Sequence, residues 1–401
     1  MNVHTRKSRL PPKSSMFIFG SGTSPAPRVS ELTERVLTAS MHKGSDGIFY
    51  RGNEGGRLKQ EAGDDPTIIR YYLTSVRNDI ARYWGKDRSE ISYEDVANIC
   101  VHLNKETGSG RNASLQPYQK ILSKRLSSKF PSFQEKRGDL GSLAWAAMDW
   151  IAWAIYHEFN DCSVEPTALQ RFADSVIQHA PSPTIATLNH DVYLESVLEE
   201  ETKLGFPNLG FRKTGSGSEF FHPDFLRDGG GIPVLKLHGS VDWFWDLKSR
   251  NYQRLRRFDS LKIHTPPSIL AGTSSKLEDY NFSIFPWLWA GFQNALHATR
   301  RIVISGYGFY DVGVNARLSD WLRLYPSAKI LVVHPNPSEL VNRTRMASVD
   351  AISSFFRKEP AIISSPSSRY PKSNYQTSIA RLSFEDASNE AWRRWILNFF
   401  G

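Results

Sequence analysis

Three short apolar runs in this chain each stop at glycine or at a cluster of small polar residues. Met16-Phe17-Ile18-Phe19 gives way to Gly20-Ser21-Gly22-Thr23-Ser24, residues 184–188 to Asn189-His190-Asp191, and residues 233–237 to His238-Gly239. Apolar runs this short, bounded by turn residues, read as buried strands. Two more follow the same plan. Residues 301–305 precede Gly306-Tyr307-Gly308-Phe309, and residues 329–333 precede His334-Pro335-Asn336-Pro337. Helical patterns lie between them, at 28–41 (Val29, Leu32, Val36 and Leu37 on one face), 192–201, 285–299 and 314–324, with another after Ser338. Strand followed by helix, repeated, is the signature of an α/β protein with a doubly wound, Rossmann-like parallel sheet.

The plan is interrupted after the first strand and helix. Residues 43–65 are polar and glycine-rich. From 67 to 180 the apolar spacing is helical, with Ile69, Tyr72, Leu73, Val76, Ile80 and Tyr83 recurring at steps of three and four. About four helices and hardly a strand are expected there, an inserted helical subdomain. Within it, 140–159 is rich in Trp, Ala and Ile. Asp149, His157 and Glu158 break its apolar stretches below the roughly 20 residues a membrane span needs. A helix buried in a bundle is expected instead. The sequence therefore predicts a basic arm at 1–15, a Rossmann-type domain at 16–42 and 181–350, a helical insert at 43–180, and a tail with a terminal helix at 351–401. Residues 205–231 read as a glycine-rich excursion, 243–265 as an irregular excursion or hairpin, and 364–378 as a loop.

Net charge is +9, which suits nucleic acid, an anionic membrane or a phosphorylated metabolite without choosing among them. The basic arm and Arg254, Arg256 and Arg257 are the nucleic-acid candidates, less favoured than a solvated charged face. Two cysteines, Cys100 and Cys162, make neither a four-ligand zinc site nor a disulfide framework. No metal and a reducing, cytoplasmic setting are expected, and no secretory signal is read at the amino end.

The strand ends carry the candidate chemistry. In Gly20-Ser21-Gly22-Thr23-Ser24 the glycines let backbone approach a pyrophosphate, and amides at a helix start attract its charge. Pro25 stands where the usual dinucleotide fingerprint has a third glycine, so an ordinary tight turn is the competing reading. Asn189 and Asp191 fall at the carboxyl edge of the sheet, where an amide can hold a water or a ribose hydroxyl; helix capping is the alternative. His238 titrates near neutrality and can take a proton from water or a hydroxyl; His190 and His334 rank below it. Gly306, Tyr307, Gly308 and Phe309 are placed to line a ribose. Asn336 is placed to bond ribose or adenine, or simply to make a turn before a helix begun by Pro337.

Taken together, Gly20-x-Gly22-x-Ser24, Thr187-x-Asn189-x-Asp191 and Leu237-His238-Gly239, in that order around a helical insert, resemble the sirtuins. Gly306-Tyr307-Gly308-Phe309 with Asp311 resembles an element of the divergent prokaryotic sirtuin-like branch. The resemblance covers roughly 16–42 and 184–340. It implies a sirtuin-type sheet and NAD as substrate. Asn189 and His238 would be catalytic; Gly20, Ser21, Gly22, Thr23, Ser24, Thr187, Asp191, Gly306, Tyr307, Gly308, Phe309 and Asn336 would bind NAD. The missing four-cysteine zinc ribbon, and Pro25-Ala26-Pro27-Arg28 in place of the usual segment, point to the sirtuin-like NAD hydrolases of anti-phage defence. An NAD-dependent protein deacylase and a non-catalytic NAD, ADP-ribose or nucleic-acid binding module are the alternatives. The Trp- and Phe-rich terminal helix and the helical insert are read as surfaces for a homo-oligomer or a partner, and family analogy adds an accessory ATPase or sensor protein; no membrane partner is expected.

Overall fold

The computed structural model describes residues 14–44, 46–52, 65–105, 115–135, 139–160, 165–200, 206–215, 217–256, 263, 265–272, 276, 280–346, 361–363 and 377–400. The helices are α1 (Val29–Thr38), α2 (Pro66–Trp84), α3 (Tyr93–Lys105), α4 (Gln116–Lys129), α5 (Pro131–Glu135), α6 (Leu140–Asn160), α7 (Thr167–His179), α8 (Tyr193–Glu200), α9 (Pro223–Asp228), α10 (Phe285–Ala298), α11 (Val312–Leu324), α12 (Pro337–Met346) and α13 (Asn389–Phe400). The strands are β1 (Ser14–Phe19), β2 (Met41–Lys43), β3 (Phe49–Arg51), β4 (Pro183–Thr187), β5 (Pro207–Asn208), β6 (Phe211–Lys213), β7 (Glu219–Phe221), β8 (Ile232–Lys236), β9 (Trp243–Asp246), β10 (Asn251–Arg254), β11 (Thr299–Ser305), β12 (Lys329–His334), β13 (Ala361–Ile363) and β14 (Thr377–Arg381).

Eight strands form one sheet in the order β13-β14-β12-β11-β1-β4-β8-β5, and every neighbouring pair is parallel. The chain runs outward from β1 through β4 to β8, then returns to β11 on the other side of β1. That reversal is the topological switch of a doubly wound, Rossmann-like sheet, where ligands settle beyond the carboxyl ends of the strands. β1 is central and all but fully buried from Ser15 to Phe19. Strands covered on both faces need continuous apolar runs, and Met16-Phe17-Ile18-Phe19 supplies one.

Two apolar cores divide the protein. One surrounds the sheet and takes in α7 (Leu169, Phe172, Val176) and α13 (Trp392, Trp395, Phe399). The other lies in the helical part and takes in α1 (Leu32, Val36, Leu37) together with Val241, Phe244 and Ala271 from beyond the sheet. Its axis is α6, whose Trp150 Nε1 donates to the Val36 carbonyl at 3.1 Å. The apolar segment read as a buried bundle helix is therefore that helix, and no described helix is long and apolar enough to cross a membrane.

Several expectations are corrected. Residues after 350 supply more than a tail, because β13 and β14 extend the sheet beyond β12. β13 is three residues long and β14 has only Ile379-Ala380 as an apolar pair, too little to register as a buried strand in the sequence. Helix α7 packs on the sheet core and α1 on the helical core, so each crosses the boundary drawn from sequence. Tyr83 is 81% exposed at the end of α2, where the helix has outrun the surface its apolar face covers. The excursion at 205–231 contains β5, β6, β7 and α9, whereas residues 243–254 form the antiparallel β9–β10 pair, the hairpin alternative read from the sequence. Residues 1–13, Cys162, Arg257 and most of the 364–378 loop lie outside the described residues.

Phe172 joins α7 to the sheet, its ring 5.2 Å from Phe17, 4.6 Å from Phe19 and 5.2 Å from Trp392. Truncating a fully buried aromatic removes its transfer energy and leaves a cavity. Phe172→Ala is expected to cost about 3–5 kcal/mol in urea unfolding. A loss below about 1 kcal/mol would contradict this packing.

Candidate active site

The exits of β1, β4, β8 and β11 lie side by side because these strands are neighbours running the same way. After β1, Gly20 to Ser24 makes a short 3-10 turn rather than entering α1 directly. Ser21 and Gly22 are exposed, while Thr23 is buried. This loop touches the loop after β11: the Gly22 amide donates to the Gly306 carbonyl at 3.0 Å. Gly306 has φ +63°, and a Cβ there would lie 2.5 Å from the Thr23 nitrogen. Glycine is required at that position twice over, for conformation and for space.

The loop after β4 closes on the same corner. Asn189 Nδ2 donates to Thr23 Oγ1 at 3.3 Å, and Asn189 N donates to Thr187 Oγ1 at 3.1 Å. Ser24 Oγ donates to Asp191 Oδ2 at 2.7 Å, while Asp191 Oδ1 accepts from the Tyr193 amide at 3.1 Å. Asp191 thus both caps α8 and anchors the glycine loop, so the capping and site readings hold together. Beneath it Lys236 is fully buried, with its ammonium on the Asp191 carbonyl and 2.5 Å from Glu195.

His238, after β8, is 5% exposed. Its Nε2 lies 2.8 Å from Asp311 Oδ2 and 3.5 Å from the Tyr280 hydroxyl; its Nδ1 lies 3.5 Å from Lys276 Nζ. Lys276 in turn pairs with Glu94 of α3 at 3.1 Å. The ring of His190 stands 6.2 Å from that of His238, and among the described residues its Nδ1 has no hydrogen-bond partner. Burial, then the charge of Lys276, holds His238 below its ordinary value against the pull of Asp311. Burial, then His238 and Lys276, holds His190 well below its own. Burial pushes Asp311 upward, but the His238 hydrogen bond and charge, Lys276 and the Val314 amide together hold it down, ionised. The arrangement is a neutral, shielded imidazole against a fixed carboxylate, suited to accepting a proton.

Asn189, Thr187, Asp191, His238 and the residues from Gly20 to Ser24 are thus brought to one edge, with Gly306 against them. Tyr307 and Phe309 turn inward: the Tyr307 hydroxyl bonds the Asp311 carbonyl and Asn315, and Phe309 packs 4.7 Å from Tyr307. Gly308 is half-buried between them. Asn336 is exposed and caps α12 through the Glu339 amide at 3.3 Å, which is the structural reading of that residue. Arg254 is buried among Asp242, Glu199 and Glu219, and Arg256 pairs with Glu199 and Glu219. Neither offers a free cation to nucleic acid. Among the described residues no cluster of three or more His, Cys, Asp or Glu is arranged for a metal ion. Lys276, Tyr280, Glu94 and Lys236 were missed. Only Lys236, a lysine inside a strand run, carried a signal, since a buried lysine demands a partner.

Residues 183–352 match the family model described as a SIR2-like domain. No curated protein matches the chain. Among solved structures, a mutant Sir2 homologue in complex with ADP ribose matches at 12% identity and a TM-score of 0.37, covering 95% of this chain and 91% of that one.

Two outcomes follow from the geometry. Gly306→Ala forces a Cβ into the Thr23 backbone at positive φ, and is expected to cost more than about 1 kcal/mol in thermal unfolding; a neutral effect would show that the two loops do not meet. His190 and His238 bind protons more readily unfolded than folded. Their contribution to stability is complete above the ordinary value of 6.5 and is lost as pH falls from there towards their lower folded values. Tm is therefore expected to fall between about pH 7 and about pH 5, less steeply in His190→Asn. A flat profile, or one unchanged by the substitution, contradicts the buried neutral pair.

Proposed function

We infer, from a chain whose residues 183–352 match the SIR2-like domain model, that it cleaves the nicotinamide–ribose bond of NAD with water, giving nicotinamide and ADP-ribose. Supporting this is the meeting at one sheet edge of an exposed glycine turn, the Asn189 carboxamide and the shielded His238 imidazole. The amides of Gly20, Gly22, Thr23 and Ser24 are bonded to protein carbonyls, so the turn at Gly20, Ser21, Gly22 and Ser24 offers a pyrophosphate close backbone approach and small side chains. Thr187, Asp191 and Gly306 hold that turn and its neighbour in register.

The chemistry follows from the bond. Nicotinamide in NAD is cationic, so the glycosidic electron pair leaves with the ring and neutralises it, and no acid is required there. Positive charge grows on the ribose, and a water oxygen completes the displacement at the anomeric carbon. Asn189 orients that water or a ribose hydroxyl, and His238 receives the proton released. A buried neutral imidazole is in the right state for that role near pH 7. Asp191 faces the nicotinamide amide. We further propose that residues 16–42 and 181–350, completed by α7 on the sheet and by β14 and β13 at its edge, work as the catalytic unit, with the rest of 43–180 as insert. On the sequence resemblance alone, the setting is NAD depletion in anti-phage defence with an accessory sensor; the cytoplasm is proposed from the two cysteines, and a homo-oligomer from the helical insert and the terminal helix.

Purified protein incubated with NAD, with and without an acetylated lysine peptide, tests this by chromatography of the products. Peptide-independent release of nicotinamide and ADP-ribose is expected, falling about 10²-fold or more in Asn189→Ala and His238→Ala with circular dichroism unchanged. Release that needs the peptide would make the protein a deacylase, and turnover retained by both variants would remove them from the chemistry.

A further inference from the structure

His238 has two ring nitrogens, and a base needs one of them free of its proton. Asp311 accepts at Oδ2 from Nε2 at 2.8 Å, and the same oxygen accepts from the Tyr280 hydroxyl at 2.8 Å. Its other oxygen, Oδ1, accepts from the Val314 amide at 2.8 Å, which makes Asp311 the amino-terminal cap of α11. A carboxylate so tied cannot swing away from the ring. Being ionised it only accepts, so the proton of neutral His238 sits on Nε2 and the lone pair on Nδ1. At Nδ1 the neighbour is Lys276, at 3.5 Å. That is a long contact for a hydrogen bond, and the ammonium is also drawn to Glu94 at 3.1 Å.

We propose that Asp311 is a positioning residue for the reaction, fixing the His238 proton on Nε2 so that Nδ1 is the atom that accepts a proton from water or a ribose hydroxyl. This rests on the hydrolase reading above. When Nδ1 takes that proton the ring becomes an imidazolium, and the Asp311 carboxylate stands beside the charge. The groups facing the imidazole are Asp311 of α11, Tyr280 and Lys276 from the segment before α10, His190 after β4, and, through Lys276, Glu94 of α3. Asp311 favours the charged ring; Lys276 and a charged His190 oppose it.

Asp311→Asn separates the two duties of this side chain. Asparagine caps a helix as well as aspartate does, so α11 is kept, while the fixed negative charge is lost. On the full chain carrying 15N-labelled histidine, the unsubstituted protein is expected to show His238 protonated at Nε2, and the variant a shift towards Nδ1–H. In NAD cleavage the variant is expected to lose about 10²-fold in kcat with little change in KM. The acidic limb of its kcat/KM profile should move about one pH unit lower, because a neighbouring negative charge no longer favours the protonated ring. Lys276→Met should move that limb the other way. An unchanged tautomer, or an unchanged rate and pH profile, overturns the role. If the unsubstituted protein leaves NAD intact, the hydrolase reading fails and this role with it. If it cleaves NAD and Asp311→Asn matches it, this role fails alone.

Discussion

A parallel sheet delivers every one of its strands to the same edge, and that constraint organises this molecule. β8, β4, β1 and β11 are consecutive neighbours, so four loops distant in sequence must emerge side by side. None of the polar residues on them needs a long reach. Thr23 meets Asn189, Ser24 meets Asp191, and Gly22 meets Gly306, each through a single hydrogen bond. The strand order reverses beside β1, the place where doubly wound sheets seat their ligands, and the glycine turn leaves β1 there. Apolar burial on both faces of the sheet fixes the register that brings these loops together.

Buried charge then gives the edge its chemistry. Lys236 and Glu195 are a nearly solvent-free pair beneath the β4 loop. Such a pair adds little net stability, because desolvation offsets attraction, but breaking it leaves one charge stranded. Here it holds the carbonyl of Asp191 in place. A second string runs from Glu94 through Lys276 and His238 to Asp311 and Tyr280, joining the helical part to the sheet. The helical part therefore touches the candidate base through one lysine, and Phe244 and Ala271 continue its core to the same side.

Much of this was legible because apolar runs that end in glycine or small polar residues are the one local pattern a buried parallel strand leaves behind. The runs at 16–19, 184–188, 233–237, 301–305 and 329–333 all carry it, and all lie in strands or one residue beyond. What stayed hidden has physical reasons. β13 is only three residues long, and β14 carries just two adjacent apolar residues, Ile379 and Ala380. Tyr83 keeps helical spacing on a turn that nothing covers. Lys276 and Tyr280 lie outside every strand run and helical pattern of the sequence, where no periodicity ties a residue to a place, and Glu94 is one acidic residue among many in the helical insert. Asn336 carried the same local signal as Asn189, yet β12 lies one strand farther from the crevice, and its loop caps α12 instead. A motif after a strand indicates an edge; strand order decides which motifs share it.

The central claim is spatial, that one hollow beside Gly22, Asn189 and His238 receives the ligand. An experimental structure of the protein with ADP-ribose tests it most directly. The account predicts density with the pyrophosphate against the Gly20–Ser24 turn and the ribose between Asn189 and His238. Density at another surface, or none at saturating ligand in crystals that leave this edge open, would contradict it.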